Sequence, residues 1–113
     1  MSSPDDRLSV IQGNYLDALK NEPQDLAQAG SPSQVTAIQA NLGNAKNAYF
    51  TAIAAALTNN NDKVETAYTA AQQALAAVKQ ARTDAASIAT VIQKLAGATD
   101  AATNLLNLAK QVA

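Results

Sequence analysis

The chain has no histidine and no cysteine, so any chemistry must come from carboxylates, amines, guanidinium groups, phenols, hydroxyls and amides. That inventory excludes the common zinc sites, Ser-His-Asp triads and Cys-His pairs, along with the Glu-x-x-His pairs of a di-iron bundle. A carboxylate pair could still act as acid and base. Only Glu22 and Glu65 are glutamates, however, and Asp5, Asp6, Asp62, Asp84 and Asp100 read as helix-start residues. There an acidic side chain caps the helix and meets the positive end of its dipole. Gly13, Gly30, Gly43 and Gly97 stand alone, so no glycine-rich phosphate loop is present. No catalytic residue, cofactor or metal ligand is assigned, and the chain reads as non-enzymatic.

The aromatic residues Tyr15, Tyr49, Phe50 and Tyr68 are the remaining candidates for a site. With helical turns centred near residues 30–31 and 60, Tyr15 falls level with about residue 46 and Tyr68 with about residue 52. The four rings are then expected in one or two neighbouring layers. There they fill the wide part of a thin core, or they line a small apolar ligand pocket with phenol hydroxyls as polar handles. Tyr49 shares a stripe with Val35, Ile38 and Leu42 and is expected to be mostly buried.

The elements that would position these rings are helices. Val35, Ile38, Leu42, Ala45, Tyr49, Ala52 and Ala56 recur by three and four residues, with Phe50, Ile53 and Leu57 widening the stripe. Ser31-Pro32 with Gln34 supplies a capping box and a proline at the first helical position, and Ser3-Pro4 with Asp6 repeats the device. Leu8, Ile11, Tyr15, Ala18 and Leu19 make the stripe of a first helix, which Pro23 either kinks or ends, with Gly30 closing the segment as a left-handed cap.

After the Asn59-Asn60-Asn61 turn, the apolar series Val64, Tyr68, Ala71, Leu75, Val78 changes phase to Ala81, Ala85, Ile88, Ile92, Leu95 beside Arg82-Thr83-Asp84. Either the helix stutters there or it breaks. The absence of glycine and proline favours continuity. Thr99 then caps a last helix, which presents Leu105, Leu106, Leu108, Ala109 and Val112.

The expected architecture is all-α: one domain over 1–113, an up-and-down antiparallel bundle of four helices. These span about 4–21 with an extension to 29, 32–58, 62–96 and 99–112. The second and third should form the central hairpin, with their stripes facing each other.

Alanine is 27 of 113 residues, whereas Leu, Ile and Val together make about a fifth, so the core should be thin and the helices closely spaced. Net charge is −1 and only 15% of residues are charged, which leaves no basic footprint for nucleic acid. No segment has the ~20 apolar residues of a transmembrane span. No signal peptide is visible at the N-terminus, although an exported protein freed of its leader would read the same. The expected setting is soluble, cytoplasmic or exported.

The run Ala45 to Leu57, the asparagine turn and the Ala/Gln-rich arm Thr69 to Gln80 resemble small alanine-rich helical-bundle proteins of proteobacteria, many of which carry no assigned activity. The phasins, which coat storage granules with amphipathic helices, share this composition. The resemblance implies a helical, non-catalytic protein and transfers no functional residue. Two functions are expected from these readings. The first is a structural or protein-interaction module, binding another protein or itself. The second is a carrier of a small apolar ligand or lipid.

Overall fold

The computed structural model describes residues 1–110, and Val112 and the expected helix end at 112 lie outside them. Four helices follow in order: α1 Pro4–Gln28, α2 Pro32–Ala55, α3 Asp62–Thr83 and α4 Ile88–Ala109. The protein is an all-α four-helix bundle.

The starts follow the caps. Ser3 Oγ accepts from the Asp6 N–H at 3.1 Å while Asp6 Oδ2 accepts from the Ser3 N–H at 2.9 Å, a complete capping box. Ser31 Oγ accepts from the Gln34 N–H, but the Gln34 side chain reaches one residue further back, to the Gly30 N–H at 2.6 Å. α1 continues through Pro23 to Gln28. The carbonyl that Pro23 leaves unpaired belongs to exposed Leu19, where water can serve it. Its end differs from expectation: Ala29 leaves the helix in extended backbone, its N–H bonded to Leu26 O, and Gly30 is not left-handed.

The expected long third helix over 62–96 is two helices. α3 stops at Thr83, with Ala85 at φ 54°, the Ala86 N–H on Ala81 O at 2.9 Å and the Ala85 N–H on Arg82 O at 3.1 Å. These two bonds define a Schellman motif, and the accompanying apolar contact is made by Ala81 and Ala86 in one cluster. Alanine occupies the left-handed position usually held by glycine, which is why no breaker shows in the sequence. Ser87 then caps α4 by accepting from the Thr90 N–H. Gly97 and Thr99 therefore lie inside α4, and Thr99 is a buried core residue rather than a cap. Because a left-handed alanine costs about 1 kcal/mol relative to glycine, Ala85→Gly should raise stability by ~0.5–1 kcal/mol in thermal or urea unfolding.

α2 also ends earlier than residue 58. Ala56 turns to φ 50° and drives Leu57 into the core, 2% exposed. Asn59 then donates from its backbone to Ala109 O and from its side chain to Lys110 O, tying this loop to the end of α4. The loop consequently carries the chain across the bundle. The hairpins are α1–α2 and α3–α4, and Cα atoms of α2 and α3 nowhere come within 8 Å of each other. α2 and α3 occupy opposite corners, while α1 and α4 meet along the short diagonal. The apolar stripe of α2 thus faces α1 and α4, not α3 as expected.

The core has two apolar parts. One gathers Ile11, Val64, Leu105 and Leu106 with alanines of α2, α3 and α4. The other gathers Val78, Val91 and Leu95 with Ala18, Ala81 and Ala98. Between them lies a polar layer in which Asn14 Nδ2 donates to Thr99 Oγ1 at 3.1 Å and the Thr99 hydroxyl donates to Asn41 Oδ1 at 2.7 Å. Its members come from α1, α4 and α2, so sliding any one helix by a turn would strand buried polar groups. The layer sets the register of those helices.

Candidate functional site

Tyr15 of α1 and Tyr49 and Phe50 of α2 come together on the outer face of the first hairpin. Tyr15 and Tyr49 stack with centroids 5.7 Å apart, and Phe50 lies 5.7 Å from Tyr49 and 6.2 Å from Tyr15. The phenol of Tyr49 accepts from Gln12 Nε2 at 3.1 Å, and Lys46 Nζ sits 5.7 Å from the centre of the Phe50 ring. Both tyrosines are partly buried, and Tyr49, packed against the core cluster, is mostly covered, as its stripe implied. The buried line of α2 is Ile38, Asn41, Ala45, Ala48 and Ala52. That line turns Val35, Leu42 and Tyr49 toward α1 and leaves Phe50 and Ile53 outside.

Tyr68 does not join them. It lies in α3, across the bundle from α2, with its hydroxyl accepting from Gln72 Nε2 at 2.9 Å. It borders a shallow groove of about 400 Å³ between α1 and α3, which is also lined by Asp6, Val10, Leu75 and Lys79. Matching levels along the helices placed Tyr15 correctly against α2. It could not tell that α3 stands at the opposite corner.

The first three rings are part of a larger apolar surface. Phe50 and Ile53 are 50% and 52% exposed on α2, and Leu16 and Leu19 are 46% and 44% exposed on α1. On a 3.6-residue helix Leu19 and Ile53 border the outer groove of the α1–α2 hairpin, while Leu16 and Phe50 stand on the sides of their helices turned away from the core. Leu16, which lies off the α1 stripe, was the available sequence signal: an apolar residue on the face opposite Ile11.

Both arginines are held in structural ion pairs. Arg7 is 1% exposed at the end of the bundle and donates to Ser2 Oγ (3.0 Å), Ser2 O (2.7 Å) and Leu57 O (2.7 Å). Glu65 receives the hydroxyl and the backbone N–H of Ser2 and lies 3.7 Å from Arg7. Those Ser2 hydrogen bonds, first the hydroxyl and then the amide, hold the Glu65 carboxyl below its ordinary range. The Ser3 backbone and side-chain hydrogen bonds do the same for Asp6.

A carboxylate whose folded pKa is depressed stabilises the fold above its unfolded pKa, and that contribution disappears as pH falls through the folded value. Stability should therefore drop below about pH 4.5. Glu65→Gln should flatten that part of the acid-unfolding profile, measured by circular dichroism.

At the other end Arg82 pairs with Asp25 and, at 3.3 Å, with Asp17, tying α3 to α1. Burial disfavours its charge. The hydrogen bond and charge of Asp25, with Asp17, outweigh that and keep the guanidinium strongly basic. Asp25 Oδ2, Arg82 Nε and, in the polar layer, Asn41 Nδ2 are buried without a hydrogen-bond partner among the described residues. Sequence reading missed this network and the Asn14–Thr99–Asn41 layer. The layer did leave a trace, since Ile11-x-x-Asn14-x-x-x-Ala18 and Ile38-x-x-Asn41-x-x-x-Ala45 place an asparagine in the same slot of two apolar stripes.

Among the described residues, no three His, Cys, Asp or Glu side chains gather as a metal site would require, and no helix is long and apolar enough to cross a membrane. Comparison with protein-family models, with curated proteins and with solved structures finds no match.

Proposed function

We propose that the bundle is a non-enzymatic structural or protein-interaction module whose working surface is the outer face of the α1–α2 hairpin. The observation that carries this reading is the exposed apolar surface of Leu16, Leu19, Phe50 and Ile53 around the Tyr15–Tyr49–Phe50 group. Single exposed apolar residues are common, but a contiguous aromatic and aliphatic patch marks an interaction site. Its composition suits a protein partner: aromatic rings at the centre, amides around them and little charge.

A second reading, a carrier of a small apolar ligand, draws support from a groove of about 360 Å³ between α3 and α4, bordered by Ala67, Ala70 and Leu108. That size is at the lower end for small-molecule sites. The groove is shallow, and the stacked tyrosines on the other face leave no hollow between them.

Native mass spectrometry and thermal-shift measurements with saturated fatty acids separate the two readings. The module reading expects neither a stoichiometric adduct nor a rise in melting temperature. A saturable one-to-one adduct with lauric acid would overturn it in favour of the carrier.

A further inference from the structure

We infer that the apolar face of the α1–α2 hairpin is the contact through which two copies of this chain pair, two-fold and antiparallel; this deepens the interaction-module reading and rests on it.

Area favours this occupant first. Four apolar side chains exposed to about half expose roughly 350 Å² together, the size of the largest patch on a typical monomer. Two-fold symmetry presents the patch twice. With the usual polar rim, the pair buries about 1,000 Å², the lower bound for a specific interface.

Charge favours it second. A two-fold contact sets each charge near its own copy, so a self-pairing face must carry little charge at its centre and opposite signs at its ends. α2 contains a single charged residue, Lys46, and its ammonium lies against the Phe50 ring of its own chain. On α1 the same outward side carries exposed Asp5 at one end and exposed Lys20 at the other, with Leu16 and Leu19 toward the Lys20 end and Ile53 and Phe50 of α2 toward the Asp5 end. Asp5 and Lys20 are about 22 Å apart along the helix. The apolar patch is centred near the midpoint of that span. Antiparallel pairing about that centre therefore brings Asp5 of each copy to Lys20 of the other, while a parallel pairing would set like against like.

Gly43 fits the same contact. It sits two helical turns from Phe50 on the same side of α2, and no side chain or distant backbone lies within 4 Å of where its Cβ would be. Nothing within the chain requires a glycine there, and an opposing helix could approach closely over it.

Sedimentation velocity between about 10 µM and 1 mM is the test, a range suited to an interface of this size. The unaltered chain should pass from monomer to dimer across it. Phe50→Glu and, independently on the other helix, Leu16→Lys should both remain monomeric with unchanged far-UV circular dichroism. Asp5→Lys or Lys20→Asp alone should weaken the dimer about three-fold, and the two together should restore it. A chain that stays monomeric at the highest concentration overturns the proposal, as does a dimer that survives both Phe50→Glu and Leu16→Lys. Failure of the double exchange to restore pairing overturns the antiparallel arrangement. A monomer that also takes up no lauric acid loses self-pairing but keeps the interaction reading, whereas a stoichiometric lauric acid adduct removes that reading itself.

Discussion

Replacing Arg7 by alanine is expected to lower the free energy of unfolding by about 3–5 kcal/mol. Arg7 is 1% exposed, and its guanidinium closes the end of the bundle by donating to Ser2 O, Ser2 Oγ and Leu57 O. Truncation would strand the Leu57 carbonyl, leave Glu65 without its nearest cation and open a cavity of arginine size. Each buried acceptor left unpaired costs about 1–3 kcal/mol. Methionine at position 7 fills the volume without supplying donors, so Arg7→Met should recover the packing part alone. Urea unfolding of the two variants would separate packing from hydrogen bonding. Near-equality of Arg7→Ala with the unaltered protein would mean that the end of α1 does not dock as described.

Leu105→Ala is expected to cost about 3–5 kcal/mol, the upper part of the range for such truncations. The side chain is fully buried, and its cluster includes Ala48, Ala52, Ala67, Ala71, Ala102 and Ala109. A methyl group has no rotamer with which to follow a receding neighbour, so the vacated volume stays open and the cavity term approaches its maximum. The same truncation at exposed Leu16 should change stability by less than ~0.5 kcal/mol. Comparing the two by urea titration tests whether the thin core is rigid, as an alanine lattice should be.

The helix starts were legible because their chemistry is local: Ser3-Pro4 and Ser31-Pro32 announce themselves, and both helices begin there. The end of α3 was not, because its left-handed position is filled by Ala85 in a chain where alanine is everywhere. The phase change after Val78 did register the break. So did Ser87 ahead of Thr90, a cap that carries no weight until a helix is known to start there.

Lateral neighbours were the hardest to read. An apolar stripe states how much of a helix is buried, not against which helix, and a short connection normally joins adjacent elements. Here the inward turn of Leu57 and the anchoring of Asn59 to the end of α4 redirect the chain to the far corner. That redirection separates Tyr68 from Tyr15, Tyr49 and Phe50. The candidate site was therefore legible in part. The rings on α1 and α2 meet because a tight turn forces those helices together, and the exposed leucines beside them were hidden by the assumption that apolar residues on a helix face the core.

The most direct test of a working surface on the α1–α2 hairpin is the stability of the triple variant Leu16→Ser, Phe50→Ser, Ile53→Ser, measured by urea unfolding at low micromolar concentration. If these side chains serve a partner and not the fold, the unfolding free energy should stay within about 2 kcal/mol of the unaltered chain, ~0.5 kcal/mol for each surface substitution plus the loss of the Phe50 ring contacts. A loss of about 4 kcal/mol or more, the scale of buried apolar truncations, would place them in the core and contradict the assignment of this face as a binding surface.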